Sequence, residues 1–166
     1  MRLLATSLAI LAGLLWAGVA AAADAAQRLQ GIPAVIDGDT LDLAGTRVRL
    51  QDIDAPELGQ QCLLKGKLYP CGEIARAALL DLTAGTEIVC ELTDRNGTET
   101  ARCTADDYDL SGGMVYTGWA LADRRVSARY VTLENGAKAA PRGLWRGSFV
   151  APWDWRDGQR LAEEAE

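Results

Sequence analysis

Val35-Ile36-Asp37-Gly38-Asp39-Thr40 and, after a short interval, Arg49-Leu50-Gln51-Asp52-Ile53-Asp54-Ala55-Pro56-Glu57 decide how this chain folds. Ile32–Ile36 reads as a strand, and Asp37-Gly38-Asp39 turns the chain. Leu41 and Leu43 then alternate with Asp42. Ala44-Gly45 turns it again, after which Val48, Leu50 and Asp52 interleave with Arg47, Arg49 and Gln51. Strict alternation bounded by turn residues marks half-buried strands, so the stretch predicts a three-stranded antiparallel meander. Asp54-Ala55-Pro56-Glu57 ends it, because the residue before a proline is held extended.

Downstream, Ile74, Ala77, Ala78 and Leu82 stand at helical spacing within 73–82, and Ala84-Gly85 stops that helix. Segments 86–92 and 99–105 read as a hairpin around Asp94-Arg95-Asn96-Gly97, Asn-Gly being a strong hairpin turn. A short strand is expected around 108–110, a helix capped by Ser111 and running through Ala120, and a third helix over 130–139. Trp145, Trp153 and Trp155 make the end of the chain too aromatic for a free tail, so it should pack back on the domain. Five short strands with about three helices predict a mainly β fold with α, a small five-stranded Greek-key barrel of the OB type.

The first residues have a separate reading. Arg2 precedes an uncharged apolar stretch that gives way to alanines ending at Ala23, the layout of a signal peptide with small-residue cleavage. The expected organisation is a signal peptide over 1–23, a linker over 24–30, one domain over 31–157 and an acidic tail over 158–166. Such a protein would be secreted or periplasmic, a monomer without stable membrane association once cleaved.

The 166 residues contain no histidine, which excludes Ser–His and Cys–His nucleophile pairs, histidine-ligated zinc and imidazole bases. Acid–base chemistry must come from carboxylates, Lys, Tyr or water. The formal net charge is −6, so nucleic acid can be bound only through a local basic patch or a bound cation.

Asp37 and Asp39 bracket a glycine at one strand end, and Asp54 and Glu57 bracket a proline at another. Carboxylates meeting at one barrel rim repel one another unless a hard cation lies between them. Ca²⁺ suits such oxygens, with the Ala55 backbone carbonyl as a further ligand. Arg49, on the strand leading to Asp54, adds a guanidinium. Cation, guanidinium and carboxylate together suit phosphate chemistry, the first two taking phosphoryl charge while the third orients or deprotonates water. Taken singly, each motif is an ordinary turn; their pairing carries the signal.

Cys62, Cys71, Cys90 and Cys103 allow three disulfide pairings. The hairpin brings Cys90 and Cys103 close, which favours 90–103 and leaves 62–71 bracketing a polar loop. A four-cysteine zinc site is the weaker alternative.

The two quoted motifs, with Cys71-Gly72-Glu73, the Asp94–Gly97 turn, Gly118-Trp119-Ala120-Leu121-Ala122 and Arg142-Gly143-Leu144-Trp145, resemble the staphylococcal (thermo)nuclease family over about residues 30–157. The resemblance implies an OB barrel with three helices that cleaves DNA and RNA at the bond to the 5′-oxygen. It makes Asp39 and Asp54 Ca²⁺ ligands with Asp37 close by and the Ala55 carbonyl in support. Arg49 would bind the attacked phosphate, and Glu57 would position or activate water. The substrate would be single-stranded DNA or RNA, with Arg95, Arg124 and Arg125 as candidate contacts.

The departures matter too. The family places a second arginine just after the hairpin glycine, where this chain has Thr98. It often places tyrosines where Asp123 and Val126 stand. The expectation is therefore a nuclease impaired at Thr98, and its alternative is a catalytically inactive binding or interaction module on the same barrel.

Overall fold

The structure, a computed structural model, describes residues 28–95 and 98–164, except for the side chains at 94, 95, 98 and 99. The signal-peptide reading and the Asn96-Gly97 turn lie outside the described residues.

In chain order the strands open with β1 (Arg28–Gly31), β2 (Ala34–Val35), β3 (Thr40–Leu43), β4 (Thr46–Leu50) and β5 (Ile53–Asp54). Then come the small hairpin β6 (Cys62–Leu64) and β7 (Lys67–Tyr69), helix α1 (Cys71–Thr83), and the long pair β8 (Ile88–Arg95) and β9 (Thr98–Ala105). β10 (Tyr108–Asp109), α2 (Leu110–Thr117), β11 (Leu121–Ala122), α3 (Ala128–Ala139) and α4 (Pro152–Arg156) follow.

The main sheet runs β1-β8-β9-β4-β3-β2, antiparallel throughout except for the parallel β4–β9 pair. Its first and last members are adjacent in sequence, divided by Ile32-Pro33. Pro33 has no N–H to give a ladder, so one extended segment splits its pairing between β8 and β3. The sheet thereby closes on itself as the expected five-stranded OB-like barrel.

Alternation places Leu41, Leu43, Val48 and Leu50 inside, with Ile88, Ala101 and the Cys90–Cys103 disulfide. Each large apolar side chain buried there contributes about 1.5–3 kcal/mol. Ala75 and Leu79 of α1 and Leu110, Met114 and Val115 of α2 cover the barrel. A second cluster joins the Cys62–Cys71 disulfide to Leu121 and Leu144, flanked by Trp119, Trp145 and Phe149. Both disulfides take the favoured pairing, as in proteins of oxidising compartments. No helix among the described residues is long and apolar enough to cross a membrane.

Four local expectations need correction. Arg28–Gln30, assigned to a linker, are strand, because β8 offers Val89–Glu91 as an edge to pair with. Ser111 lies inside α2 and caps nothing; its buried hydroxyl donates to the Gln51 carbonyl. That helix ends at Gly118, whose φ of 81° is the left-handed stop favouring glycine. Among the described residues the α-helices number four, because Pro152 at the first turn starts α4 near the end of the chain.

Candidate active site

The Asp37-Gly38-Asp39 turn is locked from inside and outside. The Asp37 carboxylate accepts the Asp39 N–H at 3.0 Å. A Cβ on Gly38 would stand 2.8 Å from that of Ala55 and 2.9 Å from that of Ala75, so only glycine lets the turn approach both. That approach delivers the Ala55 N–H to Asp39 Oδ2 at 2.9 Å. Asp39 is 4% exposed, and burial pushes its carboxyl up to about 6 against the pull of Arg49 and the Ala55 N–H.

Arg49 faces outward on β4 between the inward Val48 and Leu50. Its Nε and Nη2 meet Asp39 at 3.2 and 2.9 Å, and Nη2 also reaches Asp54 Oδ1 at 2.6 Å. Desolvation works against its charge, but Asp39 and Asp54 outweigh it and strengthen its hold on the proton. Asp54 is fixed by the pairing of β5 with β11, whose Ala122 N–H is held by buried Glu134 at 2.9 Å.

Glu57 is positioned by its loop. Gln60, fully buried, returns its backbone N–H to the Glu57 carbonyl at 2.8 Å and accepts the Glu57 N–H at its side chain at 3.3 Å. Helix α1 begins against the same loop at Gly72.

The structure thus gathers Asp39, Arg49, Asp54 and Glu57, with Asp37 and Ala55 adjoining. Sequence reasoning missed Arg156. Its Nη1 donates to Asp54 Oδ1 at 2.9 Å and Glu57 Oε1 at 2.7 Å, and its Nη2 to Asp54 Oδ2 at 2.6 Å. Those hydrogen bonds raise its hold on the proton further. Tail aromaticity was the one available signal that this segment returns to the domain.

A cleft of about 920 Å³ opens beside the cluster, lined by Arg49, Asp54, Arg124, Arg125, Trp153 and Arg156 among others. Arg124 pairs with Glu134, and Arg125 is clasped by Asp123 at 2.9 and 3.1 Å. Asp123, which stands where the family often has a tyrosine, is therefore paired with an arginine. The Arg95 and Thr98 side chains lie outside the described residues.

Carboxylate oxygens suit a hard cation by type. As they stand, both Asp39 oxygens carry protein donors and Asp54 is shared by two guanidiniums. Among the described residues no three carboxylates form a ready-made cage. A cation held by Asp39 and Asp54 therefore fits if it takes the place of a guanidinium beside Asp54.

Residues 47–147 match the family described as staphylococcal nuclease homologue, a span that includes Arg49, Asp54 and Glu57 and stops short of Arg156. The chain is 37% identical over 130 residues to the succinoglycan biosynthesis protein ExoI of Rhizobium meliloti, covering 75% of this chain and 68% of that protein. It is 32% identical over 142 residues to protein ParB of Escherichia coli, covering 74% and 75%. It is 30% identical over 150 residues to a micrococcal nuclease of Shigella flexneri, covering 77% and 80%.

Proposed function

Since this chain belongs to the staphylococcal nuclease family, we propose that it is an exported, Ca²⁺-dependent phosphodiesterase that cleaves single-stranded DNA or RNA. One observation carries the reading: Arg49, clasped by Asp39 and Asp54, lies with Glu57 nearby on an arginine-lined cleft of a size to admit a nucleotide strand. Export is supported by the apolar amino-terminal stretch behind Arg2 and by the two disulfides.

Asp39 and Asp54 are the residues to hold Ca²⁺, helped by the Ala55 carbonyl, with Asp37 ordering the turn. Ca²⁺ held there would neutralise phosphoryl charge and so favour attack at phosphorus. Arg49, its Nε–Nη2 edge braced by Asp39, holds the phosphate with the remaining Nη1 side of its guanidinium. Glu57 accepts a proton from water. The water oxygen bonds to phosphorus and the P–O5′ bond breaks. Its electron pair leaves on the 5′-oxygen, which takes up a proton, so the products are a 3′-phosphate and a 5′-hydroxyl.

Thr98 stands where the family has an arginine, and arginines that meet transition-state charge are worth ~10³–10⁵ in phosphoryl transfer. Turnover is accordingly weak unless another guanidinium reaches the phosphate. The competing reading, a binding module, draws on that same residue. The test is incubation of the protein with single-stranded DNA and with RNA, in Ca²⁺ and in chelator. Cleavage that needs Ca²⁺, yields 3′-phosphate ends and disappears in Arg49→Gln and Glu57→Gln is the expected result. Strand binding without cleavage under every condition would favour the binding module.

A further inference from the structure

We propose that Arg156 supplies the second guanidinium of the phosphate site, from α4 at the other end of the chain, in place of the arginine that the hairpin lacks at Thr98. The inference rests on the nuclease reading above.

Arg156 shares Asp54 Oδ1 with Arg49, at 2.9 and 2.6 Å. The two guanidiniums therefore converge on one oxygen atom. Both side chains are partly exposed, at 37% and 36%, and both line the cleft. The Nη1 contact with Glu57 at 2.7 Å also places Arg156 beside the carboxylate proposed to accept the proton of water.

This is no loose surface arginine. Gln60, which braces the Glu57 loop, donates its side-chain amide to the Val150 carbonyl at 2.6 Å, just ahead of α4. Trp155 lies over Gly59 of the same loop, and Arg160 stacks on Trp155 with its guanidinium 4.2 Å from the ring centre. The helix is thus seated on the Glu57 loop by contacts that do not involve Arg156. Exposed ion pairs stabilise little, so anchoring α4 does not account for a fork spread over Asp54 and Glu57. Trp153, 42% exposed on the same helix, faces the cleft as a platform on which a base can stack.

In the resting protein Arg156 neutralises Asp54 and Glu57. A divalent cation held at Asp54 would compete with Arg156 for those oxygens. The freed fork would then face the negative charge that grows on the phosphate oxygens. An interaction stronger in the transition state raises turnover and leaves substrate affinity nearly alone.

The test compares wild type, Arg156→Gln, Arg156→Lys, Thr98→Arg and the double variant Thr98→Arg/Arg156→Gln. Cleavage kinetics on single-stranded DNA are measured together with calorimetric titration of Ca²⁺ alone into metal-free protein. Arg156→Gln should lower kcat by ~10³-fold or more, with KM within about threefold. It should also tighten Ca²⁺ binding by roughly tenfold, because a neighbouring positive charge is gone. Thr98→Arg should restore much of the lost turnover in the double variant. Arg156→Lys, which keeps the charge without the fork, covers the case in which the glutamine variant does not fold. It should cut at least tenfold more slowly than wild type.

Wild-type cleavage with Arg156→Gln or Arg156→Lys equally fast would overturn the inference and leave the nuclease reading intact. So would an inert wild type made active by Thr98→Arg, since the position would then be vacant. Unchanged Ca²⁺ affinity in Arg156→Gln would overturn the resting arrangement on which the inference stands. If no variant cuts DNA or RNA, the nuclease reading falls and this inference falls with it.

Discussion

Gly72 sets how closely helix α1 approaches the Glu57 loop, and Gly72→Ala measures what that approach is worth. A Cβ there would stand 1.8 Å from the Glu57 carbonyl oxygen and 2.6 Å from its carbon. Such contacts essentially never fall below 3.0 Å, so the gap must open by about 1.2 Å. Backbone faces backbone at this point, and no side chain can rotate aside. Overpacking a fitted site costs about 1–3 kcal/mol, and a shift shared by two chain segments belongs in the upper half of that range. For a domain of this size that is a fall in Tm of roughly 6–12 °C. The displacement passes straight to Glu57, and about 1 Å of misplacement can cost ~10²-fold in rate. Thermal melts and initial rates on single-stranded DNA in Ca²⁺ read the two effects separately. A Tm within about 2 °C of wild type, with the rate unchanged, would refute the reasoning: the helix start would be pliant and Glu57 positioned by Gln60 alone.

Two buried carboxylates should show opposite pH signatures in metal-free protein. Burial raises Asp39 from 3.8 to about 6, so its stabilising contribution is complete below 3.8 and is lost as pH rises through 6. Asp39→Asn should therefore gain on wild type by up to ~3 kcal/mol between pH 4 and pH 8, and parallel stability curves would refute this. Burial tends to raise Glu134 as well, but Lys138, the Ala122 N–H and Arg124 outweigh it and hold the carboxyl below 4.5. Its contribution is present above 4.5 and lost as pH falls through the lower folded value. Glu134→Gln should cost about 1.5–3 kcal/mol at pH 7 and less at pH 3, by urea denaturation. Replacing Cys90 and Cys103 together by alanine should cost ~3 kcal/mol in the chain-entropy picture, and more than replacing the Cys62–Cys71 pair, which closes a shorter loop.

The barrel was legible because its decisive features are local. Leu41, Leu43, Val48 and Leu50 alternate with polar residues, and period-two alternation leaves one register that buries all four. Gly38 was legible as a turn, but its actual constraint is contact with Ala55 and Ala75, partners from two other elements. Ser111 misled for a related reason. Its hydroxyl has the chemistry of a cap, yet the Gln51 carbonyl sixty residues earlier in the chain offered a buried acceptor. Local propensity yields to tertiary hydrogen bonding wherever an unpaired buried group would cost more.

Arg156 shows the same limit at the site itself. Its partners Asp54 and Glu57 lie 102 and 99 residues away, and no spacing rule spans such a distance. Residues 47–147, the part that matches the family, end before it. Reading Thr98 as a defect assumes that a catalytic group must keep its place in the sequence. On the proposed reading, a phosphate held at Arg49 would meet only positions in space, and a fork arriving from α4 would neutralise charge as well as one arriving from a hairpin. The family motif therefore supports the chemistry of the position more securely than it identifies the residue that fills it. Loss of a motif residue implies loss of activity only after the fold has been searched for another side chain that reaches the same oxygens.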